Sequence, residues 1–257
     1  MTVRVVHAAA YSFPAAAAGV ELDLRLSPAP WEVPRTQAAE LSVVPPPLNI
    51  ATVRDRWGNT IRRVSFERPL ARVSIAMHLV VAAGAGDLPG EPPAPEDLAM
   101  PADAPADSVT KDAAVEAAAA VREECAHLTD GWRFEARPGC DSATLTELLR
   151  DRRGRCLELA RLLVWRLRRR SIPARFVLGY SLEPTARGAI RQRHAWVACH
   201  DGHRWSAVDP TAPGRAASDL FATAWGPRLA PLMPVRARRP AGLTGIAGTW
   251  STQVTLV

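Results

Sequence analysis

The sequence predicts an α+β fold in which a small antiparallel β domain precedes a larger mixed domain. Three observations predict it. Apolar residues alternate with a period of two through the first third of the chain, and a stretch too rich in proline and glycine to build a core follows. In the second half, helical periodicity comes first and short strand-like runs come after it. At 257 residues the chain is long enough for two modest domains, each burying a core of its own.

Residues 1–83 make the β domain. Leu22, Leu24 and Leu26 alternate with Glu21, Asp23 and Arg25, and Val73, Ile75, Met77 and Leu79 repeat the period. Asp55-Arg56-Trp57-Gly58-Asn59 is a turn signal joining β-like runs at 48–53 and 60–66. Residues 84–107, GAGDLPGEPPAPEDLAMPADAPAD, form the predicted linker or long loop. Residues 108–257 make the second domain. Its Ala-rich start reads as a helix to Leu128 with Ser108 as N-cap, and Thr144 or Thr146 starts a short helix through Leu148 and Leu149. A stronger helix sets Cys156, Ala160, Leu163, Val164 and Leu167 on one face, with Arg161 and Arg168 off it. Ser171-Ile172-Pro173 ends that helix. Strands are then predicted at 175–180, 194–200 and 204–209.

The net charge of +6 is carried almost wholly by arginine, Lys111 being the only lysine. The dense cluster Arg166, Arg168, Arg169 and Arg170 falls at a predicted helix end, where cations complement the macrodipole and face water. No nucleic-acid motif accompanies it, so no nucleic-acid partner is expected. No run reaches membrane-spanning length and the first residues lack a signal-peptide pattern, so no membrane association and a cytoplasmic location are expected. Cys125, Cys140, Cys156 and Cys199 follow no disulfide framework and read mostly as free thiols.

Catalytic chemistry gathers around Cys156, His194 and Asp209. The Asp201-Gly202 pair between two strand-like runs signals a two-residue hairpin turn. With those two residues at the tip, His200 faces His203 and His194 faces Asp209, so the carboxylate can hold the imidazole in one tautomer. Cys156 opens a helix just after Gly154, where the helix terminus favours a thiolate and its backbone N–H could serve as an oxyanion donor. Singly, each has an ordinary reading: a buried small hydrophobe, a strand histidine, a turn aspartate. Their order and spacing together point to acyl transfer through a thioester. No metal site is expected, because Cys199, His200 and His203 at a tight hairpin tip converge poorly and no Cys-x-x-Cys pair exists.

Four blocks in order, Gly154-Arg155-Cys156, Ile172-Pro173-Ala174-Arg175 leading to Gly179-Tyr180, Arg193-His194-Ala195-Trp196-Val197, and Trp205 with Val208-Asp209-Pro210-Thr211, resemble the bacterial transglutaminase-like superfamily. The resemblance implies a papain-like core with catalytic Cys156, His194 and Asp209. The β-rich start, with Asp55 to Asn59, is similar to the N-terminal domain of many bacterial members. Three stretches depart from the family pattern: Leu157-Glu158-Leu159 after the nucleophile, Ala136-Arg137-Pro138-Gly139 upstream, and Ala224 to Arg228 near the C-terminal side. Trp132 is a weak oxyanion candidate.

The favoured function is a cysteine peptidase or amidase acting on a peptide or protein without cofactor or metal. The alternatives are amine acyl transfer (a true transglutaminase) and a noncatalytic peptide-binding or scaffold module of the same fold.

Overall fold

The computed structural model describes residues 2–105, 117–135, 143–183, 193–239 and 247–256. Alternation in the first third becomes six strands: β1 (Thr2–Ala17), β2 (Glu21–Leu24), β3 (Thr36–Val44), β4 (Asn49–Arg54), β5 (Thr60–Ser65) and β6 (Leu70–Ala82). The apolar set of each strand turns inward, so Val5, Leu22, Leu24, Val64, Val73, Ile75 and Leu79 bury their side chains in one shared core. The second half supplies α1 (Ala117–Thr129), β7 (Arg133–Phe134), α2 (Leu145–Asp151), β8 (Arg153–Gly154), α3 (Cys156–Arg169), β9 (Ala174–Ser181), β10 (His194–His200), β11 (Trp205–Val208) and β12 (Leu220–Gly226). Two last strands, β13 (Val235–Arg239) and β14 (Ala247–Leu256), return to the first unit.

Sheet orders are β14-β1-β6-β3, β13-β2-β5-β4 and β11-β10-β9-β12, with β7 and β8 a short parallel pair. β14 pairs along β1 and β13 along β2, so the β unit is completed by the far end of the chain. Both strands fall within residues 108–257, expected as the second unit, yet pair with strands of the first. Without β13 and β14, β1 and β2 would each present an unpaired edge. The expected Ser108 N-cap falls outside the described residues, whereas Thr144 does cap α2, accepting the Glu147 N–H. α3 ends where Ser171 takes a positive φ of 57° before Ile172 and Pro173.

In the second unit α3 packs across the β9–β10 face. Leu162, Leu163, Val164 and Leu167 meet Phe176, Leu178, Ala195 and Val197 there. Within the arginine cluster Arg168 does not face water, which corrects that expectation, and its neighbours are only partly exposed. Arg168 is buried and donates to the carbonyls of Ala99, Ala174 and Pro227. Arg170 pairs with Glu123 and Glu124, and Arg166 with Glu124. These guanidiniums fasten α3 to α1 and to the connecting segment. Among the described residues no helix is long and apolar enough to cross a membrane.

The connecting segment is likewise strapped down. Arg175 on β9 is fully buried between the rings of Trp57, Trp205 and Trp225, at 4.4, 4.4 and 4.2 Å from their centroids. Asp97 accepts two of its N–H groups at 2.8 Å each, and Glu91 accepts a third. Asn59 meanwhile bonds both the N–H and the carbonyl of Trp225, which clamps the 55–59 turn of the β unit onto β12. Removing one partner of a buried pair strands the other charge. Asp97→Ala should therefore lower the unfolding free energy by about 3–5 kcal/mol, read by urea denaturation; a loss below about 1 kcal/mol would contradict this role.

Candidate active site

Local sequence places the nucleophile candidate. β8 ends at Gly154, whose carbonyl accepts the Glu135 N–H, and the chain then turns into α3. Gly154 is needed because an added Cβ would sit 3.1 Å from that of Glu158. Arg155 caps the helix, and Glu158 reaches back to accept both its backbone N–H at 2.7 Å and its guanidinium at 2.7 Å. The departure Leu157-Glu158-Leu159 thus carries its own capping device. Burial would push the Glu158 carboxyl up, yet the bonds from Arg155 hold it below its ordinary value. Cys156 is partly exposed at the first position of α3, with its Sγ 3.9 Å from the Arg193 carbonyl.

The hairpin differs from its predicted register. Asp201 Oδ1 accepts the N–H groups of both His203 and Arg204, and Gly202 takes φ +101°, so the turn centres on Gly202 and His203. His200 then faces Trp205, and cross-strand partners sum to 405 rather than 403. The physical cause is the Asp201 side chain, which caps the turn from its first position instead of occupying the tip. A slip of two residues leaves every side chain on its original face. Asp209, just beyond β11, becomes a diagonal neighbour of His194 rather than its direct partner, and such neighbours remain within reach.

They do meet: His194 Nε2 donates to Asp209 Oδ2 at 2.6 Å. Asp209 is 4% exposed, and its other oxygen accepts the backbone N–H and the hydroxyl of Thr211 at 2.9 and 2.8 Å. Arg215 donates to Oδ2 at 2.7 Å and pairs with Glu183 at 3.3 Å. Burial pushes the Asp209 carboxyl up, but the bonds from His194 and Thr211 hold it below its usual value. Trp196 stacks on the imidazole, with ring centroids 6.0 Å apart and planes 22° apart. Gly179, the β9 partner of His194, makes room for that tryptophan. A Cβ there would lie 2.8 Å from the Trp196 ring and 2.0 Å from the Phe221 carbonyl.

His194 and Cys156 line one cleft of about 330 Å³ between the β unit and α3. Burial disfavours the charged ring of His194, yet its interactions with Asp209 and Cys156 outweigh that and raise its pKa from 6.5 to about 9. The other described thiols differ. Cys125 is pushed up to about 11 and Cys199 to about 12, both chiefly by burial. The described cysteines are free thiols, and Cys140 lies outside the described residues, as does the 136–139 stretch. Cys199 Sγ contacts the Ser206 carbonyl and His200 Nδ1 accepts the Gly202 N–H. Trp132 packs at the margin of the α3 core.

Sequence reasoning missed Thr211 and Arg215. The Asp-Pro-Thr spacing of an Asx turn could have identified the first; no local pattern marks Arg215, which reaches Asp209 from a separate loop turn.

Because the folded pKa of His194 lies above the unfolded one, the stability it contributes is complete below about pH 6.5 and is lost as pH rises through about 9. Wild-type unfolding midpoints in urea should fall more steeply over that window than those of His194→Ala. Parallel pH profiles would contradict the raised value.

Residues 99–210 match the transglutaminase-like superfamily and residues 3–82 match the bacterial transglutaminase-like N-terminal region. Among curated proteins the sequence finds no significant match. The crystal structure of a candidate cysteine protease from Cytophaga hutchinsonii is similar at a TM-score of 0.74 and 15% identity, over 99% of this chain and 90% of that one. The periplasmic domain of TgpA from Pseudomonas aeruginosa aligns at a TM-score of 0.34 and 17% identity, over 79% of this chain and 87% of that one. The chain thus joins a bacterial transglutaminase-like N-terminal region to a transglutaminase-like core.

Proposed function

We propose that the chain is a thiol-dependent acyl-transfer enzyme acting on a peptide or protein amide, with Cys156 as nucleophile, His194 as acid and base, and Asp209 orienting His194. The observation that carries this reading is one imidazole, held by a buried carboxylate at 2.6 Å, on the wall of the cleft that Cys156 also lines. The carboxylate accepts a hydrogen bond from Nε2–H, which leaves Nδ1 as the ring nitrogen able to exchange a proton with sulfur.

The steps follow from that geometry. Proton transfer from Cys156 to His194 yields a thiolate and an imidazolium, and the negative Asp209 stabilises the latter. The thiolate attacks the substrate carbonyl carbon, and the developing oxyanion lies at the start of α3, where first-turn N–H groups lack intrahelical acceptors. Collapse breaks the C–N bond; the amine leaves with the proton from His194, and a thioester remains on Cys156. Water then attacks as His194 accepts its proton, and the acid leaves as Cys156 is regenerated. Water is the proposed acceptor because Cys156 is partly exposed and water requires no binding site of its own.

Iodoacetamide labelling followed by peptide mapping tests the central step. Cys156 should react well below pH 8 while Cys125 and Cys199 stay inert, and His194→Ala should return Cys156 to the profile of an ordinary thiol near about pH 8.5. A Cys156 profile that is ordinary in the wild-type protein would remove the enzymatic reading. With the thiolate established, peptide anilide cleavage measured against incorporation of a labelled amine identifies the acceptor, and Cys156→Ser should abolish either activity.

A further inference from the structure

The cleft beside Cys156 is not uniformly apolar. Its walls come from both units: Phe13 of β1 and Leu22 of β2, Leu178 of β9, and Met233 and Val235 from the returning C-terminal segment. Such a surface accepts an aliphatic or aromatic group and excludes water from around it. A volume of about 330 Å³ suits one side chain or short acyl group rather than a length of polypeptide.

Two arginines line this chamber: Arg155, which is paired with Glu158, and Arg193. Arg193 precedes the catalytic histidine candidate, and among the described residues it has no carboxylate partner. Its guanidinium donates to the Arg25 carbonyl at 3.3 Å and to the Thr223 hydroxyl, and lies 5.3 Å from the centroid of the Tyr180 ring. Two of five N–H groups are thereby used, and neither acceptor carries charge. Among the described residues the rest of the cleft lining offers no anion. His7 is buried against Thr252, and burial together with the Arg193 charge drives its pKa down to about 3, so it is neutral. Among the described residues the buried Tyr180 hydroxyl has no hydrogen-bond partner, adding a second unmatched polar group beside the guanidinium. Other buried arginines in this protein have their own acceptors: Arg155 has Glu158, Arg175 has Asp97, and Arg168 donates to three backbone carbonyls. A cation partly withdrawn from water with no counter-charge is costly unless something supplies one.

We propose that the cleft selects an acyl donor with a carboxylate at the end of a short apolar body, the carboxylate being read by Arg193 while the apolar part fills the chamber leading to Cys156. This rests on the reading of Cys156 as the nucleophile. Carboxylate is the favoured anion because a planar fork of donors matches it, and a single negative charge balances a single guanidinium among apolar walls.

Protection of Cys156 from iodoacetamide tests the proposal without knowledge of the natural substrate. Hexanoate and hexanamide share an apolar body and differ in charge. On the wild-type protein, hexanoate should halve the labelling rate at a concentration about tenfold lower than hexanamide does. Arg193→Met should erase that preference and Arg193→Lys should retain part of it, each measured as the ratio of rates with and without ligand in the same variant. Equal protection by the two compounds, or protection by neither, overturns the proposal in the wild-type protein alone, even if a variant fails to fold. A preference that survives in Arg193→Met overturns it as well, since His194 would then be the cation responsible. Failure of the enzymatic reading shows separately, as slow labelling of Cys156 below pH 8 with no ligand present.

Discussion

Arg175 is the constraint on which the rest of the structure depends. A guanidinium removed from water must find both acceptors for its N–H groups and a counter-charge. Here three distant segments meet that demand: Asp97 and Glu91 from the connecting segment, Trp205 and Trp225 from the second sheet, and Trp57 from the β unit. The aromatic rings attract the cation through their faces and exclude water from its ion pair. Trp205 Nε1 further donates to the Glu91 carbonyl, and Trp225 Nε1 to that of Trp57, so the cage is hydrogen-bonded around its rim as well.

That cage holds the two units in the relation that creates a cleft. Tyr180, Leu182 and Phe221 of the second unit reach into the core of the β unit, and the returning β13 and β14 complete the sheets that face them. The chamber at Cys156 exists because α3 and β9 form one side and β1, β2 and the C-terminal segment form the other. The β unit therefore acts on the chemistry as a wall, even though His194 and Asp209 both lie outside it.

Within the site, charge is distributed in an orderly way. Asp209 receives four donors, two from Thr211 and one each from His194 and Arg215, so its negative charge is held against strong burial. Arg215 moderates the field that Asp209 exerts on the imidazole, and Glu183 in turn moderates Arg215. Cys156 differs from the buried thiols of Cys125 and Cys199 in standing at a helix terminus with an imidazole beside it. Environment, rather than residue type, sets the thiols of this chain apart from one another.

The sequence by itself determined the period-two strands, the helix that begins at Cys156 and stops before Pro173, and the order of Cys156, His194 and Asp209, because all of these are local patterns. It located the Asp201-Gly202 hairpin and the face that His194 and Asp209 share, since a slip of two residues preserves side-chain parity. Tertiary structure alone decided the true register, set by the Asp201 carboxylate, and the burial of Arg168, which local charge density had placed in water. It also decided the pairing of β14 with β1 and the meeting of Arg215 with Asp209. Each of these joins groups across a chain separation or a turn geometry that no period in the sequence encodes. Hydrophobic alternation says which face of a strand is buried, but not which distant segment will cover it.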